Sequence, residues 1–355
     1  MSKLAEYLVD RLGISDTLEV AKKKTVPMHK HSAWYYWGGI SLFCFISQVV
    51  TGILLMVYYR PGAESYESVR QITYEIHFGW LIRSIHNWSA TGFLLSVFVH
   101  MFSVFFMKAY RQPREVGWLS GIVLLLLGLL FGFSGYLLPM DETAYFATKV
   151  GLEIPNTIPI IGPTIANLLR GGLEVGPTTV QRFFALHAVV LPILYLPLLA
   201  LHLWMVQKHG NALPESEEAK PADERKSIPF FPNFMARDLA VWLITLNLIS
   251  VMGALFPWQL GPMADALKPA PAGIKPEWFF MSQFSTLKIL GKVIPGMAGE
   301  AIGMTLFLLG LVLWALVPFF DNDKANGRRG RQITYFGIFV VAVLIVTTIW
   351  GYVGG

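Results

Sequence analysis

Seven stretches of this chain contain no aspartate, glutamate, lysine or arginine: 34–58, 84–107, 116–138, 183–206, 239–257, 301–320 and 333–353. A helix that crosses a bilayer needs about 20 mostly apolar residues. Each stretch meets that length, with 239–257 the shortest. Hydrocarbon leaves backbone N–H and C=O groups no partner but one another, which favours helices for segments of this kind. The expected fold is an all-α integral membrane protein with seven transmembrane helices. Composition agrees: 54% of the 355 residues are hydrophobic and 14% charged, against about 25% charge in a soluble domain. The single cysteine, Cys44, lies in an apolar run and excludes a disulfide framework, a thiolate zinc site or an iron–sulfur cluster held by this chain alone.

The charges sort by side. Of the 28 lysines and arginines, 18 fall in the N-terminal segment and in the second, fourth and sixth inter-span segments, and 10 in the other three. The positive-inside rule then puts the N-terminus in the cytoplasm and the C-terminus outside. The net charge of +5 follows from that bias and calls for no nucleic acid. No apolar core precedes Pro27, so residues 1–33 do not read as a signal peptide. Leu4, Leu8 and Leu12 instead predict an amphipathic helix on the membrane surface. Residues 209–232, rich in Pro, Glu and Lys, read as a solvated linker. Two outer loops hold apolar runs too broken to span: PNTIPIIGPTIANLLRGG at 155–172 and PEWFFMSQFSTLKIL from 276. Both read as short helices that roof a pocket or as interfacial padding.

Ionisable side chains inside spans are costly and usually functional. Here they are all histidines: His86 and His100 in the second span, His187 and His202 in the fourth. The first pair is 14 residues apart, about 40° short of four turns and roughly 21 Å along the axis. The second is 15 apart, about 60° beyond four turns. His86 and His187 lie near the outer ends of their spans, His100 and His202 near the inner ends. Two stacked pairs of this kind suit the axial ligation of two haem irons. The alternative is four histidines bonding backbone carbonyls or lining a proton path. A non-haem metal centre is disfavoured, because the two levels are far apart and no carboxylate lies within the spans.

Gly38 and Gly52 in the first span, and Gly121 and Gly135 in the third, repeat the spacing of 14. Glycine lets a flat group or another helix approach the backbone closely. Arg83 and Arg182, just before His86 and His187, are candidates to meet haem propionates, or are snorkelling arginines.

RSIHNWSA with His86, His100 fourteen residues on, SGYLLPMDETAY, TTVQRFFALH with His187, and PEWF at 276–279 together cover most of the chain. In this combination the sequence resembles cytochrome b of the quinol-oxidising cytochrome bc and b6f complexes. The spacing of 15 between His187 and His202 resembles the b6 type, whereas IPFFPNFMARDL is similar to the mitochondrial type. The resemblance implies a bacterial inner-membrane protein in four parts. Residues 1–33 form a cytoplasmic segment, 34–208 a b6-like dihaem four-helix bundle, 209–236 a linker, and 237–355 a three-helix region like subunit IV.

It also implies two non-covalent haem b groups, an outer one on His86 and His187 and an inner one on His100 and His202. Quinol would be oxidised at an outer site around Pro276, Glu277, Trp278 and Phe279. One electron would pass to a Rieske iron–sulfur protein and the other to quinone at an inner site. A c-type cytochrome, lipids and a second copy of the chain are the further implied partners. Glu277 would accept a quinol proton, although Pro276–Glu277 is also an ordinary helix start. Asp238 would protonate reduced quinone, or is simply an acid in a first helical turn.

Three positions depart from the family pattern. Tyr36 stands where b6-type chains anchor an extra haem through cysteine, so no covalently attached third haem is expected. Phe279 replaces the tyrosine of PEWY, and Ser103 stands where relatives carry an arginine, leaving Lys108 or another cation for the inner propionates. The competing readings are a dihaem quinone-reactive anchor of another dehydrogenase and a haem-free transporter with a histidine proton relay.

Overall fold

The computed structural model describes residues 23–156, 161–271, 273–294, 297–321 and 327–354, with Tyr7, Arg11 and Ile158. The surface helix expected around Leu4, Leu8 and Leu12 lies outside these. The N-terminal part runs through α1 (Tyr36–Met56), α2 (Ser65–Tyr74), α3 (Gly79–Phe106), α4 (Glu115–Tyr136), α5 (Glu142–Asn156), α6 (Gly162–Arg170) and α7 (Pro177–His209). Beyond the linker come α8 (Met235–Leu255), α9 (Trp278–Val293), α10 (Met297–Ala315), α11 (Val317–Phe320) and α12 (Gly327–Val353).

Six helices among the described residues are long and apolar enough to cross a membrane: α1, α3, α4, α7, α8 and α12. The seventh expected crossing, 301–320, is divided. α10 ends at Ala315, Leu316 leaves helical geometry at φ −83° and ψ 0°, and α11 restarts with Pro318 in its first turn. Proline has no N–H for the carbonyl four residues back, and so favours a helix start at this point.

The spans form two close pairs, α1 on α3 and α4 on α7, joined along α3 and α4. α8 packs on α1 and α3, while α9 packs on α10 and α12. Three apolar clusters mark three levels. At mid-depth Cys44, Phe45, Phe93, Leu94, Leu124, Tyr195 and Ile249 pack together, with the Phe45 and Tyr195 rings 4.5 Å apart. At one end Leu137, Tyr145, Phe146, Leu152, Val175, Val180 and Phe183 bind the broken apolar loop to the bundle. At the opposite end Phe105, Tyr110, Trp118, Ile122, Trp314 and Val317 join the two halves, and Phe105 stacks on Trp314 at 4.2 Å.

Both outer loops fold into helices, as one of the sequence readings expected. Asp141 opens α5 by accepting a hydrogen bond from the Ala144 N–H at 2.9 Å, the role of an N-cap carboxylate. Its second oxygen accepts from the Gly261 N–H at 3.2 Å, which ties this loop to the one before α9. Gly171, at φ 75°, closes α6 in the left-handed conformation that glycine adopts without penalty. The linker is more than a solvated spacer. Its residues Ser227–Pro229 (β2) pair antiparallel with Thr25–Pro27 (β1), in the register Val26 opposite Ile228.

Candidate functional site

The four histidines meet in the space between α3 and α7. The ring centres of His86 and His187 are 6.5 Å apart, and those of His100 and His202 are 6.4 Å apart. Two metal–nitrogen bonds of about 2 Å, plus roughly 1 Å from each ring centre to its nitrogen, span about 6 Å. The two pairs therefore have the separation that one metal between two imidazoles requires. His187 sits in a π-helical turn, Leu186–Val190, inside α7. Pro192 follows it and cannot donate to the carbonyl of Ala188, which relaxes the helical ladder here.

Each of the four spaced glycines faces one of the rings. A Cβ added at Gly52 would lie 3.4 Å from Cε1 of His86, and one at Gly135 would lie 2.8 Å from Cε1 of His187. The matching distances are 3.1 Å for Gly38 on His100 and 3.3 Å for Gly121 on His202. Larger residues would fill the slots beside the rings.

A further set of residues carries a signal the glycine spacing alone does not reveal. Thr51 Oγ1 lies 2.9 Å from His86 Nδ1, Ser134 Oγ 3.1 Å from His187 Nδ1, and Ser120 Oγ 3.0 Å from His202 Nδ1. Each of these hydroxyl residues immediately precedes one of the glycines, so the legible sign was a Thr-Gly or Ser-Gly step. At the fourth corner Trp37 precedes Gly38, and the buried Nδ1 of His100 has no hydrogen-bond partner among the described residues.

Both candidate arginines are engaged with backbone. Arg83 is buried and donates from Nη1 to the Trp258 carbonyl at 2.7 Å. Arg182 donates to the carbonyls of Leu168 and Asn167, which close α6. Lys108 is likewise occupied. It reaches Asp321 at 3.2 Å and the Gly330 carbonyl at 3.0 Å.

The PEWF segment lies where the outer loop meets the bundle. Glu277 is the N-cap residue of α9, directly after Pro276. Burial raises its carboxyl above the ordinary carboxylate range, and a hydrogen bond from the Trp278 backbone partly offsets this. Tyr136 and Tyr352 are near enough to interact with it electrostatically. Trp278 and Phe279 pack against the mid-depth cluster. A Cβ at Gly132 on α4 would come within 2.8 Å of Cζ of Phe279.

At the other end of the bundle Asp238 lies within the first turn of α8, and its carboxylate abuts Gly39 on α1. Its Oδ1 is buried without a hydrogen-bond partner among the described residues. Gly39 follows Gly38, so adjacent glycines face Asp238 and His100. Tyr36 stacks on Phe234 at 5.0 Å with 9° between the rings.

These features define an integral, multi-pass helical membrane protein whose interior presents two facing histidine pairs suited to axial haem ligation. The model of the family described as Cytochrome b/b6/petB matches residues 21–210, and that described as Cytochrome b(C-terminal)/b6/petD matches residues 263–355. The chain belongs to the cytochrome b/b6 family, whose members bind haem b. It is 45% identical over 340 residues to the "Cytochrome bc complex cytochrome b subunit" of Chlorobaculum thiosulfatiphilum, covering 94% of this chain and 77% of that one. Cytochrome b6 of Stigeoclonium helveticum is 41% identical over 215 residues, 60% of this chain and all of the relative. Among solved structures, a chain of "Hyperthermophilic respiratory Complex III" matches with a TM-score of 0.84 at 28% identity, over 98% of this chain and 91% of that one.

Proposed function

We propose that this chain is the cytochrome b subunit of a quinol-oxidising cytochrome bc-type complex in a bacterial cytoplasmic membrane, with its N-terminus inside and its C-terminus outside. The observation that carries this is the pair of histidine couples, 6.5 and 6.4 Å between ring centres, stacked along α3 and α7. His86 with His187 would hold the outer haem b, and His100 with His202 the inner one. When bound there, haem b supplies a one-electron iron couple at each level, so that one quinol electron can cross the membrane while the other goes to a Rieske iron–sulfur partner.

The remaining work falls to the chain's own residues. Gly38, Gly52, Gly121 and Gly135 keep the slots beside the rings open. Pro276 presets the start of α9 and fixes Glu277 at its N-cap, facing the bundle. Glu277 accepts a proton from quinol at the outer face. The half-buried environment suits that task, because a carboxyl with a raised pKa can take a proton and later release it to water. Trp278 and Phe279 provide apolar walls and exclude water. Asp238, with one unsatisfied oxygen beside Gly39, is placed to give a proton to quinone at the inner face. Arg83 and Arg182 keep N–H donors beyond those spent on carbonyls, and these can meet propionates at the outer level.

The division into a b6-like bundle over 34–208, a linker over 209–236 and a subunit IV-like region over 237–355 belongs to the same reading. Two non-covalent haems without a covalent third belong to it as well, because Tyr36 stands where b6-type chains carry a cysteine. A c-type cytochrome and a second copy of the chain complete the assembly.

The test is a pyridine haemochrome assay with an optical redox titration on detergent-purified protein, beside His100→Ala and His202→Ala. Two haems b in the wild type, with the inner one missing from each variant, support the assignment. Protein that purifies without haem would overturn it and favour a histidine proton relay.

A further inference from the structure

The hydroxyl groups behind the histidines do more than fill space. A hydroxyl has one hydrogen to donate and can also accept. Thr51 Oγ1 donates its hydrogen to the Ser47 carbonyl at 2.6 Å, Ser134 Oγ to the Leu130 carbonyl at 2.7 Å, and Ser120 Oγ to the Gly117 carbonyl at 3.0 Å. These are the back-bonds that serine and threonine make within helices. With that hydrogen spent, each oxygen can only accept from the neighbouring imidazole. The Nδ1 atoms of His86, His187 and His202 must then carry the proton. A neutral imidazole with its proton on Nδ1 has its free lone pair on Nε2. Each hydroxyl therefore fixes the tautomer a metal ligand needs.

The fixing is uneven between levels. Both outer rings are anchored, His86 by Thr51 and His187 by Ser134 together with the Phe131 carbonyl at 3.1 Å. On the inner level Ser120 and the Gly117 carbonyl anchor His202, while the buried Nδ1 of His100 has no partner among the described residues. The difference is written in the sequence, where Trp37 precedes Gly38 and hydroxyl residues precede the other three glycines.

We infer that Thr51, Ser134 and Ser120 are positioning residues that act through the histidines, and that their uneven distribution sets an energetic step between the two haem levels. An imidazole that donates from Nδ1 pushes more electron density through Nε2 and is a more basic ligand. A more basic ligand stabilises oxidised iron and lowers its reduction potential. With both rings anchored, the outer level favours oxidised iron more than the inner level does. An electron arriving at the outer level is thereby driven inward. The inference rests on the haem ligation proposed above.

The experiment compares wild-type complex with Thr51→Val, Thr51→Ser, Ser134→Ala and Ser120→Ala, each assayed for haem content and for the midpoint potential of each haem by optical titration. Thr51→Val, nearly equal in volume, should raise the outer potential and leave the inner one in place, and Thr51→Ser should restore it. Ser134→Ala should shift the outer potential less, because the Phe131 carbonyl remains. Ser120→Ala should raise the inner potential alone, and by less than Thr51→Val raises the outer one, because the Gly117 carbonyl remains. Loss of the outer haem from Thr51→Val, with retention in Thr51→Ser, supports the inference equally. Full haem content with unchanged potentials in Thr51→Val and Ser120→Ala would overturn it. A wild-type protein without haem would instead sink the ligation itself, a result the haem assay reports separately.

Discussion

Gly135 and His187 approach so closely that a single added methyl group would sit 2.8 Å from Cε1 of the ring. The contact is the tightest of the four glycine–histidine pairs. Gly135→Ala must push His187 off its present line toward His86. The expected outcome is selective loss of the outer haem, with its retention weakened by about tenfold or more, while the inner haem stays bound. Reduced-minus-oxidised spectra of the purified variant read this directly.

Asp321 is fully buried and collects Arg111 at 2.8 Å, Lys108 at 3.2 Å and the Tyr110 hydroxyl at 2.5 Å. Burial alone would raise its pKa, but the hydrogen bonds from Arg111 and Tyr110 and the charge of Lys108 outweigh it and hold the carboxyl below its ordinary 3.8. A depressed carboxyl contributes stability that is fully present above the unfolded pKa and lost as pH falls through the folded one. Asp321→Asn should cost about 3–5 kcal/mol, because Lys108 loses its counter-charge and Arg111 keeps only Glu215. Thermal melts against pH check both parts. The variant should melt lower near neutrality and show a weaker acid decline.

Glu277 has the opposite shift. Its buried carboxyl titrates above the ordinary 4.5, so it becomes a competent proton acceptor only as pH rises beyond the usual carboxylate range. Quinol oxidation should climb with pH across that window. Glu277→Gln should lower the rate by about a hundredfold and flatten the climb, with both haems retained. A variant that keeps the wild-type pH profile would remove Glu277 from the proton path.

Gly132 provides a second close approach, where an added Cβ would lie 2.8 Å from the ring of Phe279 and 3.3 Å from Leu94. Gly132→Ala overpacks this corner and should destabilise it by about 1–3 kcal/mol. Because the corner belongs to the PEWF segment, the KM for quinol should rise while the haem spectra stay unchanged. Steady-state kinetics beside spectra separate the two effects.

Much of this arrangement was legible in the chain. Histidine is the only ionisable residue in the charge-free stretches, so its positions stand out against an apolar background, and the glycine spacing matched them. The hydroxyl anchors were harder to see, since serine and threonine are common in spans and only their place before each glycine marks these three. The break at Pro318 lay inside a stretch whose hydropathy reads as continuous. The Asp321 cluster was out of reach for another reason. Arg111 and Asp321 are 210 positions apart, and nothing local in either segment points to the other. Arg83 and Lys108 stand out by their closeness in sequence to the histidines, but their bonds to carbonyls and an acid of the C-terminal half are not legible there.

The strand pair between Thr25–Pro27 and Ser227–Pro229 has a consequence for how the two halves stay together. The exposed stretch 215–226 runs just ahead of it, so a protease cut there would leave one strand on each fragment. Phe105 on Trp314 and Arg111 on Asp321 would hold the same two fragments at the inner face. The peptide linkage is thus mechanically redundant. It guarantees that the halves are produced in equal number, while their grip on one another is non-covalent, and a nicked chain should migrate as two bands on a denaturing gel yet purify as one membrane subunit.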